Sequence, residues 1–205
     1  SRSQSSRGGA PERAMALLTL GIVLAVVAGG IVLYRLQEHE LRAQAMRELE
    51  IIATLKVDQI EQWRYERIAD ARRATEGSGI GARTAAWLAD PTPETEQDLQ
   101  QVLRAQSYSG RYRDVVLLDW DGRVLQHAMP GDFDVHSDVL ELLGGVRVSG
   151  RAVMTDLHRN ASDRAPHLDI LAPVLSPESG EPIAAIALHA DARDFLFPLL
   201  ESWPT

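Results

Sequence analysis

Asp114-Val115-Val116-Leu117-Leu118-Asp119-Trp120-Asp121-Gly122-Arg123-Val124-Leu125-Gln126-His127 is the stretch where the chain changes its period. A run rich in β-branched and apolar residues reaches an Asp-Gly pair, and a second run of the same character returns from it. Asp-Gly between two such runs is a strong hairpin signal, because glycine accepts the positive φ that a tight turn demands. The spacing therefore predicts two antiparallel strands over residues 114–119 and 123–127.

Toward the C-terminus, Met129-Pro130-Gly131 closes the hairpin, and Ser137 is placed to cap a short helix that runs through Leu143 and ends at Gly144-Gly145. Three further strands are expected, at about 152–158, 168–175 and 183–190. Loops with turn chemistry separate them, at 159–166 and 176–182.

Toward the N-terminus the period is helical. Leu99, Val102 and Leu103 form the inner face of a helix that opens with Thr92 as cap, Pro93 in its first position and Glu94 and Glu96 on its positive end. Gly110 is expected to stop it. A short helical piece, 82–89, precedes Asp90-Pro91. Before that lies Gly77-Ser78-Gly79-Ile80-Gly81, too rich in glycine to remain helical. A phosphate-binding loop is excluded there: a helix rather than a strand precedes the glycines, and no Lys-Ser/Thr follows them.

Residues 37–76 read as one long amphipathic helix, since Leu41, Ala45, Leu49, Ile52 and Leu55 recur in steps of three or four and Ile60 and Trp63 resume the stripe. The half near residue 41 suits pairing with a partner helix. The half around Trp63 suits packing on its own domain. Before it, residues 14–34 hold no ionisable side chain over about 21 residues, enough to cross a hydrocarbon core. A cleavable signal is the bland alternative, but Ile31-Val32-Leu33 carry the apolar run past the small-residue site at Val26-Val27-Ala28, so an uncleaved anchor is expected. Arg2, Arg7 and Arg13 precede the span, whereas Glu38 and Glu40 dilute Arg35 and Arg42 after it. The positive-inside rule then places residues 1–13, a flexible polar tail, in the cytoplasm and the rest outside it. Within the span Gly21, Ala25 and Gly29 fall four apart, the small-residue spacing that lets two membrane helices pack.

Composition limits the partners. The chain has 21 Lys and Arg against 29 Asp and Glu; without the tail's three Arg and one Glu the balance is 18 against 28. A field of that sign disfavours nucleic acid. The absence of cysteine removes disulfides, thiolate catalysis and iron–sulfur clusters, and suits a bacterial exported module that rests on its core.

The expected fold class is thus α+β: a transmembrane helix and a long membrane-emergent helix, then an antiparallel sheet of about five strands flanked by helices. With Leu55-Lys-Val-Asp-Gln-Ile-Glu-Gln-Trp-Arg-Tyr-Glu-Arg67 directly after the anchor, Val115 to Leu125 as the hairpin and Ile170-Leu-Ala-Pro-Val174 as a later strand, this order resembles the PAS-like Cache domains. These are extracytoplasmic sensors of bacterial histidine kinases, diguanylate cyclases and chemoreceptors. The resemblance implies a division into a tail (1–13), a transmembrane helix (14–36), a long helix (37–76), a sensor domain (77–192) and a connector (193–205). The connector, Phe195-Leu-Phe-Pro-Leu-Leu-Glu-Ser-Trp-Pro-Thr205, looks like the one that leads into a second lobe in double-Cache proteins.

By the same resemblance the chain is the N-terminal, ligand-sensing part of a longer receptor in the bacterial inner membrane. It would be periplasmic in its sensor domain, homodimeric through its transmembrane and long helices, and coupled to an output domain outside this sequence. Its ligand, a small molecule, would lie against the open face of the sheet. The residue pattern of the amino-acid-binding Cache subfamily is not evident, which leaves the ligand class open. Chemistry nominates His127, Asp156, His158, Arg159, His167, Asp169 and His189, all at strand ends and loop edges; His167 and Asp169 alternate on one strand and share a face. Solvated polar residues are the bland reading of that set. His158, His167 and Asp169 also read as a metal set, but they span a loop whose shape the sequence does not give, so no metal and no cofactor is expected. No enzyme is expected either, since Asp119 and Asp121 read as turn formers and Ser107 and Ser109 lack a defensible His/Asp order. A membrane-anchored scaffold that only dimerises is the alternative to a sensor.

Overall fold

The computed structural model describes residues 9–77, 79–107, 112–129, 135–159 and 165–202. Among these, five helices and six strands follow in the order α1 (Gly9–Glu76), α2 (Ile80–Ala89), α3 (Pro93–Ser107), β1 (Asp114–Leu118), β2 (Val124–His127), α4 (Ser137–Ser149), β3 (Val153–Met154), β4 (His158–Arg159), β5 (Pro166–Leu175), β6 (Pro182–Asp191) and α5 (Leu196–Glu201). The chain divides into two compact units, residues 1–54 and 55–205, and α1 contributes to both.

In the first unit α1 carries a stretch long and apolar enough to cross a membrane. Leu17, Leu24, Val27, Ile31 and Leu33 are exposed along it, as are Leu41 and Leu49 further on. A Cβ added at Gly21 or Gly29 would meet nothing within 4 Å, so that face is open. The helix begins at Gly9, inside the stretch expected to be a flexible tail; residues 1–8 lie outside the described residues.

In the second unit the strands form one antiparallel sheet in the order β2-β1-β6-β5-β3, with β4 also paired to β5. Strand alternation sends successive side chains to opposite faces, and helices cover both. On one face Val115, Leu117, Ile170, Ala172, Ile186 and Leu188 pack with Trp63, Ala71 and Ala74 of α1, Ile80 of α2 and Leu99 and Leu103 of α3. On the other, Val116, Leu118, Leu171, Ala185 and Ala187 pack with Val139, Leu143 and Val146 of α4. With both faces covered, β5 and β6 are buried almost end to end, which is why they read as apolar runs rather than as alternation. Pro173 is tolerated in β5 because the β3 pairing ends at Leu171, leaving that position one described neighbour, β6.

Several local expectations are met by the geometry. Thr92 Oγ1 accepts from the Thr95 amide, 3.3 Å, and so caps α3. The glycine-rich stretch after Glu76 breaks the helix, with Gly79 at φ 68 as the cap of α2. A Cβ at Gly81 would lie 2.3 Å from the Leu175 carbonyl oxygen, so α2 can approach the end of β5 only because that residue is glycine. The stops expected at Gly110 and at Pro130-Gly131 lie outside the described residues.

Three expectations need correction. First, α4 does not end at Gly144-Gly145 but runs on to Ser149 and stops at Gly150, φ 63. The apolar stripe Val139, Leu143, Val146 outweighs about 1 kcal/mol of helix propensity lost at each internal glycine. Its cap is His136 rather than Ser137, and His136 makes no side-chain capping bond. Second, the strand expected over 152–158 is split into β3 and β4. Thr155 supplies the break: its hydroxyl accepts the Asp169 amide (2.9 Å) while its own amide donates to the Asp169 carbonyl (2.9 Å). Third, the turn falls at Trp120-Asp121-Gly122 as expected, but the regular strands stop one residue short of it on each side, at Leu118 and Val124. The Asp119 amide still donates to the Arg123 carbonyl (2.9 Å). Gly122 does take positive φ, 83°, but the loop is organised by Asp119, whose Oδ1 accepts from the amides of Asp121 (2.9 Å) and Arg123 (2.8 Å).

Candidate functional site

The α4 face of the sheet changes character beyond its apolar patch. Strand register continues the row of Leu171, Ala187 and Val116 into Asp169 opposite His189, His167 opposite both His158 and Asp191, and Asp114 opposite His189. Five of the chain's six histidines (127, 136, 158, 167 and 189) reach this side, so the polar character belongs to the sheet itself and not to scattered surface residues.

Asp169 is the centre. It has no solvent exposure, and three imidazoles converge on its carboxylate: His189 Nδ1 lies 2.9 Å from Oδ1, while His158 Nε2 and His167 Nε2 lie 3.2 and 3.8 Å from Oδ2. His136 joins from the N-terminus of α4, its ring 4.6 Å from that of His158 and 5.3 Å from that of His167, centroid to centroid.

Hydrogen bonds decide which nitrogen carries each proton. His158 Nδ1 is 2.9 Å from the Asp156 carbonyl and His167 Nδ1 is 3.1 Å from the Ala165 carbonyl. A carbonyl only accepts, so both Nδ1 atoms are N–H donors and each neutral ring turns its Nε2 lone pair toward Asp169. Asp169 Oδ2 and His158 Nε2 are both buried, and neither makes a hydrogen bond of acceptable geometry. His189, by contrast, donates Nδ1–H to Asp169 Oδ1.

Protonation follows from these surroundings. Burial, helped by the charge of neighbouring His189, pushes His167 down to about 4, so its ring is neutral at ordinary pH. The contact with Asp169 raises His158 above the usual imidazole range despite its burial. Burial alone would raise Asp169, but the close contact with His158 and the hydrogen bond from His189 outweigh it and hold the carboxyl at about 2. The site therefore contains a fully ionised carboxylate out of reach of water, with the neutral His167 ring and the more basic His158 ring beside it. That donor set suits a cation or a small polar ligand.

Of the residues singled out in the sequence, His158, His167, Asp169 and His189 are brought together. The loop that stood between His158 and the His167–Asp169 pair is no barrier, because β4 lies directly on β5. His127 stands in the next row, its Nδ1 3.6 Å from Asp114 Oδ2. Asp156 is exposed and contributes only its carbonyl, and Arg159 is exposed opposite Pro166. His136 and Thr155 are the members that sequence reasoning missed. The sole local signal for His136 is its place just before a helix start, and that does not say which sheet face the helix covers.

No protein-family model and no curated protein matches the chain. Solved structures do match in fold. The sensory domain of the Campylobacter jejuni chemoreceptor Tlp3 with isoleucine bound superposes with a TM-score of 0.57 at 13% identity, over 75% of this chain and 61% of that one. The ligand-binding domain of the Pseudomonas fluorescens chemoreceptor CtaA gives 0.51 with L-serine (16% identity, 74% and 60%) and 0.52 with L-alanine (16% identity, 76% and 63%). The chain has the fold of bacterial chemoreceptor sensory domains. It spans about three fifths of the length of the sensory domains it matches. In this sensory-domain fold α1 and α4 take opposite faces of the sheet, and the histidine–aspartate cluster sits on the α4 face, away from the long helix.

Proposed function

We propose that this chain is the extracytoplasmic ligand-sensing input region of a bacterial transmembrane signalling receptor, with the α4-face cluster as its ligand site. One observation carries the reading: a sheet with the sensory-domain fold holds a water-excluded carboxylate ringed by histidines, in a chain whose first helix is long and apolar enough to span a bilayer. A fold needs no such group for stability, since a buried charge costs several kcal/mol unless it is compensated. Residues 14–34 anchor the chain with its N-terminus in the cytoplasm. The sensory unit lies outside, and the output is a histidine kinase, a diguanylate cyclase or phosphodiesterase, or a chemoreceptor signalling domain.

Signal leaves through α1, which pairs with α1 of a second copy along the exposed Gly21/Ala25/Gly29 face and the Leu41, Ala45, Leu49 stripe. A ligand biases such a dimer only by its differential affinity for two arrangements, typically about 1–3 kcal/mol of coupling. Thermal melts of the full chain in lipid nanodiscs against amino acids, carboxylates, amines and divalent metal salts test the sensing. A melting point unmoved by every compound would leave a dimerising scaffold in its place. Disulfide trapping tests the pairing, cleanly because the chain lacks cysteine. Single cysteines at Leu41, Ala45 and Leu49 should crosslink efficiently while Glu40 and Arg42 lag. Equal, weak crosslinking at all five would rule the pairing out.

A further inference from the structure

We propose that His136, His158, His167 and Asp169 form a binding site for a divalent transition metal ion of the zinc class, with His189 holding the Asp169 carboxylate from behind. His136, His158 and His167 each offer a ligand atom within 4.8 Å of the others, and Asp169 Oδ2 stands 3.2 and 3.8 Å from the Nε2 atoms of His158 and His167. Ligands about 2.0–2.1 Å from a tetrahedral ion lie about 3.3 Å from one another. The separations of Asp169 Oδ2 from His158 and His167 Nε2 are close to that spacing, and His136 lies within reach of both histidines.

The surroundings are those of a ligand set. His158 and His167 both spend Nδ1–H on a backbone carbonyl, which fixes the rings and presents Nε2, the usual outer support of a metal-bound histidine. Asp169 Oδ2 and His158 Nε2 are buried, 3.2 Å apart and without a hydrogen bond, a spacing that an ion would bridge in place of the His158 proton. Three nitrogens and one carboxylate oxygen suit zinc, cobalt, nickel or copper and are poor for calcium or magnesium, which take six or more oxygens. The competing occupant is a proton shared between His158 and Asp169.

That the ion is also the sensed ligand rests on the function proposed above; the site itself does not. The test uses the full chain in nanodiscs, stripped with chelator and titrated with Co2+ and then Zn2+. Expected are one ion per chain, visible Co2+ bands of tetrahedral strength that Zn2+ bleaches, and a melting point raised by ZnCl2 but not by MgCl2 or CaCl2. His136→Ala and His158→Gln, checked for native circular dichroism, should each weaken Zn2+ binding by about tenfold or more. His189→Gln should do so by about ten- to a hundredfold through the freed carboxylate. His39→Ala, in the first unit, should bind as the parent does. Loss of the Co2+ bands in the parent, or Zn2+ affinity equal in the parent, His136→Ala and His158→Gln, would overturn the site and leave the shared proton. Zinc bound at the site with unchanged crosslinking at Leu41 and Ala45 would sustain the metal site and sink zinc as the sensed ligand.

Discussion

Trp63 of α1 stacks on Phe195 at the start of α5, with ring centroids 5.4 Å apart and planes inclined by 12°. Two turns before Trp63 on α1, Lys56 Nζ donates to the carbonyls of Leu199 and Ser202, so the last turn of α5 ends on a lysine of α1. The long helix is thus clasped to the C-terminal helix at two points within the second unit. A double-mutant cycle with Trp63→Ala and Phe195→Ala should give a coupling of about 0.5–1.5 kcal/mol, the range for aromatic pairs. Strictly additive losses in urea unfolding would show that the rings merely share a neighbourhood.

Gly122 is under two constraints that a substitution would violate separately. Its φ is 83°, and a Cβ there would lie 2.1 Å from Leu140 Cδ2 of α4. Gly122→Val should destabilise by about 1–3 kcal/mol from backbone strain, with the clash added to it. Combining Gly122→Ala with Leu140→Ala removes the clash but keeps the strain. If that double variant melted like Leu140→Ala alone, positive φ at residue 122 would carry no cost.

Gly145 is the opposite case. It is exposed inside α4, and a Cβ would meet nothing within 4 Å. Gly145→Ala should therefore raise stability by about 0.5–1 kcal/mol through backbone entropy alone. Urea titration would reveal an upward shift of the midpoint with no change in slope. An unchanged or lower midpoint would mean that α4 is not continuous through this position.

Asp191 is held by Arg193, which donates Nε and Nη2 to its carboxylate at 3.0 and 2.6 Å and its amide to Oδ1 at 2.9 Å, while Arg113 stands 3.5 Å away. These bonds, with Arg193 the larger influence and burial opposing, keep the carboxyl below its ordinary range. A carboxyl depressed by folding contributes stability that is complete above its unfolded value near pH 4 and is lost as pH falls through its folded value. Asp191→Asn should cost about 1 kcal/mol at neutral pH. The gap between parent and variant should close below about pH 4, read by denaturant midpoints along a pH series. A gap that persisted into strong acid would assign the effect to packing rather than charge.

Local chemistry alone settled much of the architecture. The change of period at Asp114, the glycines after Glu76, the Thr92-Pro93 helix start and the uncharged stretch 14–34 are short-range statements about backbone freedom, side-chain alternation and solvation, so they survive without knowledge of the fold. They yielded the α+β order, the long first helix and the antiparallel sheet. What local reading misjudged were the places where packing overrides propensity: two glycines kept inside α4 by the stripe Val139, Leu143, Val146, and a strand cut in two by the hydroxyl of Thr155.

The site was legible only as a shortlist. His167 and Asp169 share a face by alternation, which the sequence states outright. That His158 stands opposite His167, that His189 stands opposite Asp169, and that α4 brings His136 to the same face are consequences of strand register and helix docking over separations of 9 to 53 residues. Pairing across such distances is chosen by burial of the whole sheet, not by the residues that end up adjacent. The donor atoms were therefore written in the sequence, and their convergence on one buried carboxylate was decided by the tertiary structure.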